Sequence, residues 1–163
     1  KKAVALAKQY NKKLYGVVSN MSIAVERRDF LKHFDCFICN QLEAGMLFME
    51  DYADKSPEEL RDILSKRVIL GKIPAMIVTM GGNGAVYADV NGEKGICPPQ
   101  RVRVKDTTGA GDAFCAGVAS GLTYGKTLSE AVEIGSRLAA SVITSSENVC
   151  PRFLPEEFGI TLD

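Results

Sequence analysis

The sequence predicts an α/β fold in which helices flank a mostly parallel sheet. Segments with strand-like and helical apolar patterns alternate through the first two-thirds of the 163 residues. Polar or glycine-rich turns follow three of the predicted strands, as is typical of ligand-binding α/β sheets. Hydrophobic residues make up 46% of the chain, which is sufficient for one core. Because parallel strands need crossover connections, this alternation predicts right-handed crossovers and a mostly parallel sheet covered by helices.

The first elements follow from apolar spacing. The opening residues to about Tyr10 have helical spacing, and residues 14–18 form a short apolar run expected to be a buried strand. Residues 23–34 return to helical spacing, and residues 35–39 form a second short strand. A helix is then expected over residues 40–49, because the asparagine at its start is a good N-cap.

The central elements carry stronger local signals. Residues 56–59, Ser-Pro-Glu-Glu, open a helix with an N-cap, a first-turn proline and a glutamate at the third position, and we expect it to end near Val68. Residues 75–79 are apolar and β-branched, which predicts a central strand. The glycines of residues 81–84 predict a hairpin or sharp return into residues 85–88.

The last elements are an extended segment and two helices. Residues 95–104 contain two consecutive prolines, which exclude a helix and favour an edge position. Helices are expected over residues 112–124 and 127–145, the second with a threonine N-cap and a capping-box glutamate. No repeat, low-complexity segment or linker divides the chain, so residues 1–163 are predicted to belong to one domain.

Composition excludes several classes of protein. Twenty basic and twenty acidic residues give zero formal charge without a long basic run, so nucleic acid is not an expected partner. No apolar stretch reaches membrane-spanning length and the N-terminus lacks a signal-peptide core, so no membrane partner and a cytoplasmic location are expected. The five cysteines lack framework spacing and are typical of thiols in a reducing compartment: Cys36, Cys39, Cys97, Cys115 and Cys150.

A metal site built on His33, Cys36 and Cys39 is not expected. Strand spacing would place the two thiols on opposite faces, and no second pair of ligands appears in the sequence. Buried thiols are the better interpretation.

The most informative segment is Asp106-Thr107-Thr108-Gly109-Ala110-Gly111-Asp112, which leads into an apolar stretch. Gly109 and Gly111 lack a Cβ and allow a sharp turn and a close approach to a ligand. A turn that leads directly into a helix aims N–H groups and the positive end of the helix dipole at one point, which suits phosphate. Asp112 could accept a proton from an attacking hydroxyl. The alternative is an ordinary helix start with an aspartate cap.

This heptad resembles the DTxGAGD signature of the ribokinase (PfkB) family of sugar and nucleoside kinases, and Ala113-Phe114 with Gly117 extends the match. No Gly-Lys-Ser/Thr follows, so the segment is not a Walker loop. The resemblance implies a ribokinase-like, Rossmann-like three-layer fold, ATP as phosphoryl donor, Mg²⁺, and a primary hydroxyl of a sugar or nucleoside as acceptor. Family members are longer, which implies that this chain is the C-terminal nucleotide-binding and catalytic part of a larger domain. Most of the sugar pocket would lie in an N-terminal half that is absent.

The resemblance also assigns roles within the signature. Asp112 would be the catalytic base, and N–H groups from Gly109, Ala110 and Gly111 would form an anion hole for the transferred phosphoryl group.

A second resemblance concerns Asn40-Gln41-Leu42-Glu43, which is similar to the family's NxxE motif. The resemblance implies that Asn40 lies at the nucleotide site and that Glu43 organises Mg²⁺, usually through water. A hard cation that keeps most of its waters needs only one or two carboxylates nearby. The alternative is that Asn40 and Glu43 form a capping box, and both interpretations can hold together.

Residues 79–84 resemble the family's segment beside the nucleotide. The resemblance implies that Thr79, Gly81 and Gly82 lie at the ATP cleft, with Gly84 allowing close backbone approach. A tight hairpin turn is the alternative.

The remaining assignments are also implied by the family. Asp106 and Thr108 match a monovalent-cation site for K⁺, with further carbonyls from residues 145–150, although Asp106 could equally be a turn carboxylate.

Ser136 is assigned to the nucleotide site. It stands where ribokinases often have an asparagine beside the adenine, and this difference leaves it undecided which residues contact the adenine. Residues 40–44 and the tail are more similar to the pseudouridine-kinase branch. The alternatives are a non-catalytic ligand-binding regulator on the same fold and an inert fragment, and the sequence leaves a homodimer open.

Overall fold

A computed structural model describes residues 1–18, 20–145 and 153–161. The chain divides into two compact units, Lys1–Ile96 and Cys97–Asp163, and each is described by itself. The assignment of residues 1–163 to one partial domain stays a prediction.

The first unit contains alternating helices and strands, with two short 3-10 helices. In chain order they are α1 (Lys2–Gln9), β1 (Tyr15–Val17), α2 (Met21–Glu26), a 3-10 helix (Arg28–His33), β2 (Cys36–Asn40), α3 (Gln41–Phe48), α4 (Pro57–Gly71), β3 (Ala75–Thr79), a 3-10 helix (Gly81–Asn83) and β4 (Ala85–Asp89). A fifth strand, β5 (Lys94–Cys97), follows β4 and ends at the start of the second unit.

The five strands form one sheet in the order β1-β2-β3-β4-β5. β1 pairs with β2 and β2 with β3 in parallel, whereas β3 pairs with β4 antiparallel. The α/β class and the parallel pairing of the first three strands are therefore confirmed, and the sheet as a whole is mixed. The antiparallel pair follows from the chain: the connection between β3 and β4 is too short for a crossover, so β4 must return beside β3.

The core of the first unit lies between this sheet and its helices. Strands β2, β3 and β4 are buried over most of their length, which explains their nearly continuous apolar sequences. α4 contributes Leu60, Leu64 and Val68, which recur at intervals of four residues and are buried on one helix face. The thiols of Cys36 and Cys39 are also buried, as the sequence predicts.

Two predictions in this unit are wrong in detail. A single helix over residues 23–34 does not form: α2 ends at Glu26 and a 3-10 helix follows. The backbone leaves helical geometry at Arg27. The Arg27 guanidinium donates two hydrogen bonds to the Asp29 carboxylate, at 3.0 and 2.9 Å. The Phe30 N–H donates to the Arg27 carbonyl. β1 is also less buried than predicted, since Val17 is 53% exposed.

The second unit contains α5 (Ala110–Thr123), α6 (Leu128–Thr144) and a short 3-10 helix (Pro155–Phe158). Thr127 and Glu130 form the predicted capping box at the start of α6. The two long helices pack closely because glycines face each other: a Cβ built on Gly117 would lie 2.7 Å from the Cα of Gly135. Residues 98–109, which precede α5, have no regular secondary structure.

In the part of the chain that the structure describes, no helix is long and apolar enough to cross a membrane. The same residues contain no cluster of three or more side chains that could hold a metal ion by themselves. His33 packs edge-on against the Phe30 ring, with 5.8 Å between ring centroids.

Candidate active site

The carboxyl ends of β2 and β3 bring two predicted site residues together. Asn40, the last residue of β2, is the register partner of Thr79, the last residue of β3. Asn40 is exposed and Thr79 is half-buried. Because the two strands are parallel, both polar side chains stand at one edge of the sheet, where α/β proteins bind their ligands.

Asn40 and Glu43 form a complete capping box at the start of α3. The Asn40 Oδ1 accepts from the Glu43 N–H at 2.8 Å, and the Glu43 Oε2 accepts from the Asn40 N–H at 2.8 Å. No hydrogen bond to the other carboxylate oxygen, Oε1, is found among the described residues. Capping therefore uses one oxygen of Glu43 and leaves the other for water or a hydrated cation, so the carboxylate suits a hard cation such as Mg²⁺.

The turn after β3 is a hairpin connection with an open outer side. The Met80 N–H donates to the Gly84 carbonyl at 2.8 Å, and the Gly84 N–H donates to the Gly81 carbonyl at 3.1 Å. Gly81 and Gly84 have φ values of 56° and 86°, which favour glycine. A Cβ on Gly81 or Gly82 would meet no described atom within 4 Å. The hairpin interpretation is thus correct, and space for a ligand remains outside the turn.

In the second unit, Asp106 closes a local turn. Its Oδ1 accepts from the backbone N–H of Thr108 at 2.9 Å and from the Thr108 hydroxyl at 2.8 Å. The bond from the Thr108 N–H, followed by that from its hydroxyl, holds the pKa of Asp106 below its ordinary value. The turn-carboxylate alternative therefore describes the geometry, and the K⁺ site stays a prediction.

The start of α5 differs from the starts of α3, α4 and α6. Those three helices begin with capping boxes, whereas no described side chain caps α5. The N-cap is Gly109 at φ 82°, a left-handed conformation. The Ala110 N–H donates to the Thr107 carbonyl at 3.2 Å, while no bond from the N–H of Gly109 or Gly111 is found among the described residues. A Cβ on Gly111 would meet no described atom within 4 Å.

Asp112 occupies the third position of α5 and is exposed. A carboxylate in the first turn interacts favourably with the positive end of the helix dipole. It therefore stands beside the N–H groups of the helix start, as a base serving a phosphate-binding turn would need to.

Ser136 lies on α6, half-buried, and hydrogen-bonds to the Cys97 thiol. Burial raises the pKa of this thiol, and the bond from Ser136 partly opposes the rise. The adenine contact assigned to Ser136 stays a prediction. Of the segment 145–150, expected to supply carbonyls for K⁺, all but Ser145 lies outside the described residues.

Sequence reasoning overlooked Gln41, the first residue of α3. Its side-chain nitrogen lies within 3.4 Å of three backbone carbonyl oxygens in the loop after α3. The only signal in the sequence was a polar residue inside the NxxE run, and its partners could not be read from the local pattern.

Parallel strands that end in polar side chains, and a helix that begins at a glycine without a side-chain cap, are features that α/β proteins commonly use to bind phosphate. A family model described as the pfkB family carbohydrate kinase matches residues 1–151. The chain therefore belongs to the PfkB family of carbohydrate kinases, as its motifs predict.

Individual relatives agree with this membership. Guanosine-inosine kinase from Exiguobacterium acetylicum is 36% identical over 148 residues, which cover 89% of this chain and 47% of that protein. Pseudouridine kinase from Escherichia coli K12 is 35% identical over 69 residues, 42% of this chain and 22% of that protein. A probable sugar kinase from Rhizobium etli CFN 42 superposes with a TM-score of 0.76 and 26% identity over 98% of this chain and 48% of its own. The chain thus spans about half the length of the first and third of these proteins, and its ribokinase-like fold is confirmed.

Proposed function

We propose that this chain is the C-terminal nucleotide-binding and catalytic part of an ATP-dependent kinase. The kinase would transfer the γ-phosphoryl group of ATP to a primary hydroxyl of a sugar or nucleoside. The observation that carries the proposal is the start of α5, where a left-handed Gly109 leads into a helix without a side-chain cap and Asp112 stands in its first turn. Family membership makes phosphoryl transfer the chemistry to which this geometry is best suited.

In this proposal Asp112 accepts the proton of the acceptor hydroxyl while the hydroxyl oxygen attacks the γ-phosphorus and ADP leaves. The N–H groups of Gly109 and Gly111 donate to the transferred phosphoryl group and stabilise its charge. Ala110 joins them by exchanging its 3.2 Å bond to the Thr107 carbonyl for one to the phosphoryl oxygen. The exposure of Asp112 is consistent with an acceptor that approaches from outside this chain.

The nucleotide is assigned to the polar edge of the first unit. Asn40, Thr79, Gly81 and Gly82 would line its phosphates and ribose, with Gly84 permitting close backbone approach. Glu43 would hold Mg²⁺ through water, and the ion would supply positive charge against the phosphate oxygens. K⁺ at Asp106 and Thr108 is a further part of the proposal, and its remaining ligands lie outside the described residues.

For the acceptor, we favour a nucleoside over a free sugar. Guanosine-inosine kinase is 36% identical over 89% of the chain, whereas a ribokinase is 27% identical over 71%. A purine nucleoside is therefore the first candidate, and pseudouridine stays an alternative because residues 40–44 resemble that branch. The half of the relatives that this chain does not match is expected to contain most of the acceptor contacts.

The test is a two-step measurement. Isothermal titration of the chain with ATP and Mg²⁺ is expected to show binding, which an inert fragment would not show. The complete kinase is then assayed with ATP, Mg²⁺ and a panel of guanosine, inosine, pseudouridine and ribose. ATP binding without phosphorylation of any acceptor would contradict the proposed catalysis and favour a ligand-binding regulator on the same fold.

A further inference from the structure

Gln41 makes an unusual set of contacts at the start of α3. Its side-chain nitrogen, Nε2, lies 2.5 Å from the carbonyl oxygen of Tyr52, 3.3 Å from that of Ala53 and 3.4 Å from that of Lys55. Carbonyl oxygens only accept hydrogen bonds, so the amide must present its NH₂ group to them. Two N–H donors are thus shared among three carbonyls of the loop that joins α3 to α4.

This loop runs back along α3 from its far end. Met49 adopts the left-handed conformation at φ 59°, and the Glu50 N–H donates to the Gly45 carbonyl at 2.9 Å. The return is tight, since a Cβ on Gly45 would lie 2.6 Å from the Glu50 carbonyl oxygen. The loop therefore leaves the end of α3 and reaches its first turn again, where Gln41 holds it.

Other contacts hold the loop at Glu50 and Tyr52. Tyr52 is 3% exposed and its hydroxyl donates to the Glu50 Oε2 at 2.8 Å. The other oxygen of Glu50 pairs with the Arg67 guanidinium on α4. These bonds fix the ring of Tyr52 and the side chain of Glu50, but they do not reach the first turn of α3.

We propose that Gln41 is a positioning residue for the carboxylate of Glu43, an inference that rests on the metal-organising role given to Glu43 above. The capping box holds the Glu43 carboxylate to Asn40 at the end of β2. Gln41 ties the same helical turn to the loop as well, and so limits the movement of the Glu43 carboxylate relative to the end of β2. Groups that orient a direct metal ligand commonly change metal affinity about 10- to 100-fold when removed, and the effect through Glu43, which would hold the ion through water, should lie at the low end of that range.

The first test measures how strongly nucleotide binding depends on Mg²⁺. Gln41→Ala and Gln41→Met remove the donor without changing the charge, and methionine also keeps much of the side-chain length. Both are expected to raise the Mg²⁺ concentration for half-maximal ATP binding by about 10-fold, while leaving ATP affinity in EDTA unchanged. Gln9→Ala, at the exposed end of α1, is the matched control and should change neither quantity.

The outcomes separate the two proposals. Wild-type chain that binds ATP with Mg²⁺, together with Gln41 variants that keep the wild-type Mg²⁺ dependence, would overturn the positioning role alone. Wild-type chain that binds no nucleotide with or without Mg²⁺ would overturn the proposed function, and the role of Gln41 with it. An equal loss of ATP affinity in EDTA and in Mg²⁺ would show that Gln41 maintains the local structure and does not act through the metal.

The second test compares Gln41→Glu with Gln41→Lys by amide hydrogen exchange. At the first position of a helix the dipole favours glutamate and disfavours lysine. The carbonyl contacts demand the opposite order, because a carboxylate cannot donate to them whereas an ammonium group carries three donors. We expect faster exchange in residues 41–55 for Gln41→Glu than for Gln41→Lys. The reverse order would show that helix stability, and not the loop contact, governs this turn.

Discussion

Asn40 and Thr79 are register partners at the carboxyl ends of two parallel strands. Their sequence separation is bridged by α3, its return loop and α4, yet the strand register places both at one edge of the sheet. Each residue also begins a different kind of connection. Asn40 caps a helix, while Thr79 enters a glycine turn, so two different connections start from the same edge of the sheet.

Replacing Asp112 by asparagine is expected to separate binding from chemistry. The amide keeps the size of the side chain but accepts no proton, so turnover of the complete kinase should fall by about 10² to 10⁴. The dissociation constant for ATP with Mg²⁺ should remain close to the wild-type value. Steady-state assays and titration calorimetry measure the two quantities, and ordinary turnover would exclude Asp112 as the base.

Gly111→Ala is expected to affect the ligand and not the fold. No described atom lies within 4 Å of the added Cβ, and alanine is the better helix former by about 0.5–1 kcal/mol. The free energy of unfolding should therefore stay constant or rise. A methyl group beside the phosphate-binding N–H groups should nevertheless weaken ATP binding. Unchanged ATP affinity would contradict the proposal that the phosphates bind at the start of α5.

Gly117→Ala on the same helix is expected to do the opposite. Its Cβ would lie 2.7 Å from the Cα of Gly135, a backbone atom that cannot rotate away. Overpacking of this kind costs about 1–3 kcal/mol, which denaturant unfolding would measure. Gly111→Ala is the control for the glycine-to-alanine change within α5. A stable Gly117→Ala variant would contradict the close approach of the two helices.

The two glycines of the β3–β4 turn offer another matched pair. Gly84 has φ 86° and ψ −135°, a combination that residues with a Cβ rarely adopt, so Gly84→Ala should destabilise the chain by about 1–3 kcal/mol. Gly82 has no positive φ, and its added Cβ would meet no described atom within 4 Å. Gly82→Ala should leave the unfolding midpoint almost unchanged. Equal effects of the two substitutions would argue against strain as the cause.

Acidification tests the turn at Asp106. Because hydrogen bonds from Thr108 lower the pKa of the folded carboxyl, its contribution to stability is present above the unfolded pKa and is lost as the pH falls through the folded pKa. Thr108→Val removes the hydroxyl bond and keeps the N–H bond, so NMR titration should show the pKa of Asp106 rising part of the way to its ordinary value. No change in this pKa would show that the hydroxyl bond is not formed in solution.

Local signals explain which elements the sequence predicts well. The starts of α3, α4 and α6 follow from polar caps with glutamate three residues later, because each capping box is complete within four residues. The break at Arg27 was not predicted, since it depends on the geometry of the guanidinium on Asp29 and on a change to three-residue hydrogen bonding. Apolar spacing alone does not report such a change.

The candidate site shows the same division. The signature loop and the NxxE run are local patterns, and the resemblance found them. Gln41 was missed because its carbonyl partners follow it by 11 to 14 residues, and Ser136 has its partner in Cys97, far away in sequence. Contacts between residues so far apart in sequence depend on the path of the loops in three dimensions. The residue types alone do not specify that path.

The contact between Gly117 and Gly135 sets the orientation of α5 at a distance from its first turn. It lies six residues, or about 9 Å of helix, from Gly111. The backbones of α5 and α6 meet here and the Leu138 side chain lies beside the same point, so a slide or rotation of α5 would produce a clash. The contact thus sets the direction of the first-turn N–H groups of α5, although it lies outside the proposed ligand contacts. Substitutions at Gly117 or Gly135 are therefore expected to weaken the proposed phosphate binding at the start of α5 while leaving every proposed binding residue in place.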